Sequence, residues 1–89
     1  MYKILYRKIA LKDIKLLKQN GLSEKAQKLI EVIKENPYQN PPPYEKLVGD
    51  LQELFSRRIN IAHRLIYQVF EEEKTIKILR MWTHYDFIK

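Results

Sequence analysis

The hydrophobic pattern of this chain changes its period at a proline-rich stretch, residues 36–49, and this change limits the fold more than any other feature. Before that stretch, apolar residues recur at the three-to-four-residue spacing of amphipathic helices. After it, apolar and polar residues alternate, as they do in strands that pack on one face. Residues 2–6 alternate in the same way. The sequence therefore predicts an α+β domain with an N-terminal strand, a two-helix hairpin and then an antiparallel meander sheet.

Two helices are predicted before the proline-rich stretch. The first covers residues 8–20 and ends at Asn20-Gly21, and its apolar stripe consists of Ala10, Ile14 and Leu17. Ser23 is the candidate N-cap of the second helix, which should end before Pro37 because a proline disfavours helical geometry in the residue that precedes it. The predicted core face of this helix consists of Ala26, Leu29, Ile30 and Ile33.

The second half of the chain is predicted to form strands. Pro41 to Pro43 should hold the loop that precedes these strands in an extended conformation. Strands are expected at residues 54–59, 64–70 and 75–85, with a hairpin turn at residues 71–74. In the middle strand, the core residues should be Leu65, Tyr67 and Val69. In the last strand, regular alternation would place on one face Ile76, Ile78, Arg80, Trp82 and His84.

The chain has 89 residues and no cysteine. This length predicts one domain over residues 1–89. The absence of cysteine excludes a disulfide scaffold, a thiolate zinc site and a cysteine nucleophile, and it fits a reducing cytoplasm. No segment has the apolar run of a signal peptide or a membrane span, so we expect a cytoplasmic protein without a membrane partner.

Basic residues outnumber acidic ones by 17 to 11, which gives a formal net charge of +6. In a domain of this size, such an excess is typical of proteins that bind RNA, DNA or the ribosome. A basic surface without a polyanionic partner is the alternative. The two histidines lie on either side of a predicted hairpin, and this spacing matches no zinc or iron pattern, so we expect no metal and no cofactor.

The second half also contains the residue types that metal-free RNA cleavage requires. The 2′-hydroxyl must lose a proton, the leaving 5′-oxygen must gain one, and the transition state carries extra negative charge. A carboxylate, a histidine and an arginine meet these needs, arginine because it stays charged and holds phosphate through two parallel hydrogen bonds. The alternative is that these residues are ordinary solvated surface charges, because a catalytic site is recognised by its geometry and a sequence does not show that geometry. The ionisable residues concerned are Glu45, Lys46, Arg57, Arg58, His63, Arg64, Arg80 and His84.

Four short motifs occur in this region, at residues 43–47, 55–59, 63–67 and 83–85. They read Pro-Tyr-Glu-Lys-Leu, Phe-Ser-Arg-Arg-Ile, His-Arg-Leu-Ile-Tyr and Thr-His-Tyr. In sequence and spacing they resemble the YoeB toxins of the RelE/ParE superfamily, and the resemblance covers the whole chain in outline. It implies a RelE-like fold, similar to that of small microbial ribonucleases, which agrees with the hydrophobic pattern.

The resemblance implies a role for each matching residue. Glu45 would be the general base, His84 the general acid and Arg64 the cation that stabilises the phosphorane. Before RNA binds, Arg64 would also be able to pair with Glu45. The expected RNA-binding residues are Tyr85, Arg58, Lys46 and Trp82.

Alternation along the strands separates several neighbouring residues. Of Arg57 and Arg58, at most one should face the site. His63 should point away from Arg64, and a structural hydrogen bond is the expectation for it. Tyr67 and Trp82 are both candidate stacking platforms for bases, but the pattern favours the core for Tyr67 and leaves Trp82 open.

The implied function is that of a toxin in a type II toxin–antitoxin pair. Such a toxin would be a ribosome-dependent mRNA endoribonuclease that leaves a 2′,3′-cyclic phosphate and inhibits translation. Its expected partners are the ribosome, mRNA and a YefM/Phd-like antitoxin with an acidic, partly disordered tail. Whether the protein forms a homodimer stays open. Two other functions also stay open, a ParE-type toxin that poisons DNA gyrase without catalysis and a plain basic RNA-binding module.

The chain departs from the archetypal YoeB sequence at three places. Lys46 replaces a proline and Val48 replaces a lysine, so a phosphate contact from this loop would come from Lys46. Residues 86–89 extend past the His-Tyr pair at which the archetype ends. We expect this tail to lie outside the catalytic site.

Overall fold

The computed structural model describes residues 1–47 and 53–82. Within them, the α+β class and the order of strand, two helices and sheet are confirmed. In chain order the elements are β1 (Lys3–Tyr6), α1 (Lys8–Gln19), α2 (Ser23–Glu35), β2 (Glu45–Leu47), β3 (Glu53–Arg58), β4 (Arg64–Phe70) and β5 (Thr75–Arg80).

The strands form one five-stranded sheet in the order β1-β5-β4-β3-β2. The predicted meander is confirmed for β3, β4 and β5, whose neighbouring pairs are antiparallel. β1 closes the far edge by pairing with β5 in parallel. β2, antiparallel to β3, lies in a stretch that was predicted as loop. A strand of three residues is too short to show an alternating pattern, so periodicity could not reveal it.

One face of the sheet packs against the helices, and the hydrophobic core lies between them. α1 contributes Ala10 and Leu17, and the predicted core face of α2 is buried in full. Tyr67 is fully buried, which confirms the prediction that it belongs to the core. The strand residues of the core include Phe55, Leu65, Tyr67, Val69, Ile76 and Ile78.

The other face of the sheet, which we call the open face, carries the side chains that alternate with the core residues. On β3 these include Ser56 and Arg58, and on β4 they include Arg64 and Ile66. Ile66 is fully buried although it does not belong to the core cluster. Three of the predicted site residues, Glu45, Arg58 and Arg64, come together on this face.

The last strand is shorter than predicted, because β5 ends at Arg80. Its pairing with β4 also shifts by one residue, since Tyr67 pairs with Ile78 but Ile66 pairs with Arg80. The extra residue, Leu79, breaks the alternation. The prediction of one regular strand face through this point is therefore wrong, and the last residue of that predicted face, His84, lies outside the described residues.

A buried carboxylate on α1 explains where β5 ends. Asp13 is only 2% exposed. Its Oδ2 accepts hydrogen bonds from Arg80 Nε (2.8 Å) and from the backbone N–H groups of Met81 (2.9 Å) and Trp82 (3.3 Å). Because these two backbone groups bond to a side chain, they do not extend the strand ladder. Arg80, one of the candidate ionisable residues, is thus a structural partner of Asp13.

The connection between the two helices and the turn between β4 and β5 follow the prediction with one correction. Gly21 follows α1 with a φ of 72°, a left-handed conformation that glycine adopts without strain. Ser23 is the first residue of α2 and not its N-cap, which is Leu22 and makes no side-chain capping bond. The turn at residues 71–74 joins β4 to β5 as predicted. Neither described helix is long and apolar enough to cross a membrane.

Candidate active site

Three neighbouring strands bring the predicted charged residues into one cleft on the open face. Glu45 comes from β2, Arg58 from β3 and Arg64 from β4. Arg58 and Arg64 are directly opposite each other in the ladder. The cleft has a volume of about 350 Å³, and its lining is completed by Pro43, Tyr44 and Ser56.

Glu45 and Arg64 meet across this cleft. Arg64 Nη1 lies 3.7 Å from Glu45 Oε1, a separation too long for a well-formed hydrogen bond. The Glu45 side chain is 56% exposed, whereas that of Arg64 is 21% exposed. The expected ion pair is thus present, and it is loose and open to solvent, which makes it easy for an incoming anion to displace.

The two adjacent arginines of β3 have different surroundings. Arg58 is exposed and lines the cleft. Arg57 is fully buried on the helix side of the sheet, where its Nε donates to the Tyr67 hydroxyl at 3.0 Å. Burial raises the pKa of Tyr67, so this hydroxyl keeps its proton. The prediction that at most one of the two arginines faces the site is confirmed.

Arg57 holds the loop that leads to the cleft. Its guanidinium donates hydrogen bonds to three backbone carbonyls, those of Pro37 (3.1 Å), Gln39 (2.8 Å) and Pro42 (2.6 Å). The Tyr44 ring lies over the same guanidinium, 4.8 Å from its central carbon. One buried side chain therefore fixes the path of the backbone up to the residue before Glu45.

This loop is not the extended segment that its three prolines predicted. Its Asn40–Pro41 and Pro41–Pro42 peptide bonds are cis. Proline permits the cis form far more readily than other residues do. The bent path is also the one that brings carbonyls from both ends of the loop to Arg57. Because the carbonyls of Pro37, Gln39 and Pro42 converge on one guanidinium, the predicted extended shape is wrong.

Two other predicted RNA-binding residues lie outside the cleft lining. Lys46 is exposed and follows Glu45 on β2, so alternation directs it away from the cleft. Trp82 packs against the core, and its ring stacks on that of His63 with centroids 3.7 Å apart and planes 17° apart. One face of the indole is therefore covered and does not offer a stacking platform. His63, for which a structural hydrogen bond was expected, thus packs against Trp82 by ring stacking.

The proposed general acid, His84, and its neighbour Tyr85 lie outside the described residues. So does Val48, and so do residues 86–89. Within the described residues, no three histidine, aspartate or glutamate side chains are grouped closely enough to hold a metal ion.

Two functional features were missed by reasoning from the sequence. Ser56, which lines the cleft, was not singled out, although alternation along β3 places it on the same face as Arg58 and would have found it. Asp13 was not predicted to be buried, and its position four residues before Leu17 on the apolar side of α1 was the available signal.

Solved toxin structures share this fold. A chain of the E. coli DinJ–YafQ complex matches with a TM-score of 0.81 at 20% identity, over 100% of both chains. A YoeB/ParE toxin from Agrobacterium tumefaciens matches with a TM-score of 0.82 at 26% identity, over 93% of this chain and 99% of that one. A chain of the YoeB–YefM complex from Staphylococcus aureus matches with a TM-score of 0.77 at 33% identity, over 96% and 99%.

The chain thus has the small α+β fold that is found in RelE-like toxins. The sequence profile of the family described as YoeB-like toxin of bacterial type II toxin–antitoxin system matches residues 6–85. The chain therefore belongs to the family of YoeB-like toxins. No curated protein sequence gives a significant match.

Proposed function

We propose that this protein is a metal-independent endoribonuclease that cuts mRNA on the ribosome and thereby inhibits translation. The observation that carries the proposal is the meeting of Glu45 and Arg64 in a cleft that Arg58 also lines. This arrangement offers a proton acceptor beside two permanent positive charges, which suits an anionic transition state. Membership of the YoeB-like family supports the same function.

The reaction would use the chain's own side chains for each proton. Glu45 takes the proton of the ribose 2′-hydroxyl, and the 2′-oxygen forms a bond to the adjacent phosphorus. Arg58 and Arg64 stabilise the phosphorane through charge-assisted hydrogen bonds. The bond to the 5′-oxygen breaks as that oxygen takes a proton from His84, while Tyr85 positions the RNA. The products are a 2′,3′-cyclic phosphate and a 5′-hydroxyl.

The loose ion pair suggests how the site prepares for substrate. A phosphate offers Arg64 a bidentate partner, whereas Glu45 is 3.7 Å away and makes one long contact. Bound RNA would therefore replace Glu45 as the partner of Arg64. The carboxylate is then released next to the nucleotide whose 2′-hydroxyl it must deprotonate.

The net charge of +6 favours polyanionic partners, and we propose the ribosome with its mRNA, in the cytoplasm. The cleft of about 350 Å³ is at the small end of ligand sites, so the ribosome would have to present one nucleotide to it. The S. aureus relative was solved as a YoeB–YefM complex. We propose a YefM-like antitoxin for this chain, whose acidic segment covers the cleft.

The test is cleavage of a defined mRNA bound to purified ribosomes. Glu45→Ala, Arg64→Ala and His84→Ala should each slow cleavage about 10²-fold or more, because each removes an acid–base or electrostatic contribution. Glu73→Ala is a matched control, since it removes a carboxylate from the exposed hairpin turn. Wild-type rates in folded Glu45→Ala and His84→Ala proteins would contradict the mechanism.

The chemical ends of the cleaved RNA, and the target that the protein inhibits, distinguish the remaining alternatives. Cleavage should leave 2′,3′-cyclic phosphate ends and should persist with a chelator, once magnesium for ribosome integrity is controlled. Ends with a 5′-phosphate would indicate a metal-activated water instead. Inhibition of DNA gyrase without RNA cleavage would assign the protein to the ParE type, and RNA binding without cleavage would indicate a binding module.

A further inference from the structure

Ser56 has a buried hydroxyl in the floor of the cleft. The residue is 1% exposed, and its Oγ has no hydrogen-bond partner in the described part of the chain. A buried hydroxyl without a partner destabilises the folded state, and alanine at this position would avoid that cost. Such a group needs an explanation, and a role in the working site is one that the position of Ser56 supports.

The sheet register places Ser56 beside Glu45, on the strand that lies between Glu45 and Arg64. On β3, Ser56 pairs with Glu45 on one side and with Ile66 on the other. Arg64 belongs to the far strand, and the axes of β2 and β4 are roughly 9.5 Å apart with β3 between them. The guanidinium must therefore extend over β3 to approach Glu45. A small side chain at Ser56 leaves room for that approach.

We propose that Ser56 is a positioning residue that holds the Glu45 carboxylate after RNA has displaced Arg64. With the phosphate bound to Arg64, the Ser56 hydroxyl rotates and donates its hydrogen bond to one oxygen of Glu45. The other oxygen stays free to accept the proton of the 2′-hydroxyl, since a carboxylate accepts at both of its oxygens. This inference rests on the endoribonuclease function proposed above.

The proposed hydrogen bond has a consequence for pH dependence. A hydrogen bond donated to a carboxylate favours its ionised form, which is the form that acts as base. The other ionisable groups lining the cleft are Tyr44, Arg58 and Arg64. The arginines stay charged at all relevant pH values, and tyrosines ionise only in alkaline solution. The acidic limb of the pH–rate profile therefore reports the carboxylate.

The test compares Ser56→Ala with Ile66→Val in single-turnover cleavage of ribosome-bound mRNA at saturating substrate. Ser56→Ala should lower the plateau rate about tenfold, since it removes one hydrogen bond to a charged group. It should also move the acidic limb roughly one pH unit upward. Its resistance to urea should equal or exceed that of the wild type. Ile66→Val, the matched control, changes the packing of the residue that pairs with Ser56 and should lower stability but leave the acidic limb in place.

Each outcome distinguishes a positioning role of Ser56 from a purely structural one. An upward shift in Ser56→Ala alone supports the proposal. An unshifted profile in Ser56→Ala, or an equal shift in Ile66→Val, would overturn it, the second because packing alone would then explain the effect. A wild-type protein that cuts no RNA contradicts the proposed function and this inference together, whereas an active wild type with an unshifted Ser56→Ala contradicts the inference alone.

Discussion

Removal of the Asp13 carboxylate should strongly destabilise this protein. Asp13 is 3% exposed as a side chain and its partner Arg80 is 16% exposed, so the ion pair is largely shielded from water. Asp13→Ala would leave the guanidinium and the backbone N–H groups of Met81 and Trp82 without this acceptor. The loss is therefore more than that of one contact, since charged and polar donors stay buried.

The size of this effect follows from the burial of the pair. Breaking a buried ion pair from one side costs about 3–5 kcal/mol. A chain of this length has a total unfolding free energy of about 4–13 kcal/mol, so the variant loses a large part of it. Because about 1 kcal/mol changes Tm by about 4–8 °C in domains of this size, Tm should fall by at least about 12 °C.

The assay is urea and thermal unfolding followed by circular dichroism, for Asp13→Ala, Arg80→Met and the double variant. The double variant should be less damaged than the sum of the two single variants, since each single change leaves the other partner buried. The loss in Asp13→Ala should persist in 1 M salt, because buried pairs are screened weakly. A loss below about 1 kcal/mol, or one that disappears in salt, would refute the reasoning.

Two further predictions concern charged residues elsewhere. Hydrogen bonds from Tyr38, and then from Lys74 and Tyr2, lower the pKa of Glu71 from 4.5 to about 2. The ionised carboxylate thus contributes stability above about pH 4.5, and this contribution is lost as the pH falls toward 2. In urea unfolding, the stability advantage of the wild type over Glu71→Gln should shrink as the pH falls across this window. A stability difference that stays constant with pH would contradict the assigned cause of the pKa shift. Arg58→Ala should keep the unfolding free energy within about 0.5 kcal/mol of wild type while weakening RNA binding and its dependence on salt. An unchanged salt dependence would remove Arg58 from the RNA contacts.

Local patterns predicted the helices and the core well. The four core residues of α2 and the alternating residues of β4 were found because burial follows the period of one helix or one strand. Arg58 and Arg57 were separated by the same rule. The meeting of Glu45 with Arg64 was implied by the resemblance to the YoeB toxins, because no local pattern relates residues on different strands.

Features that depend on distant contacts were not predicted. The edge strand β2 exists through its pairing with β3, and the bent proline loop follows the carbonyl-binding geometry of Arg57. Asp13 appeared to be one polar residue of an amphipathic helix, whereas its burial depends on Arg80, which is 67 residues further along the chain. A periodicity argument sees only the neighbours of a residue in sequence, so it has no access to such partners.

The parallel pairing of β1 with β5 also sets the order in which this protein can be completed. Lys3 pairs with Thr75, so the first strand to be synthesised must wait for the last. During translation the helices can form as they emerge, but contacts between such distant segments form late and slowly. The sheet is finished only when Arg80 has left the exit tunnel. The sheet that carries the proposed active site is therefore incomplete until β5 is available to pair with β1.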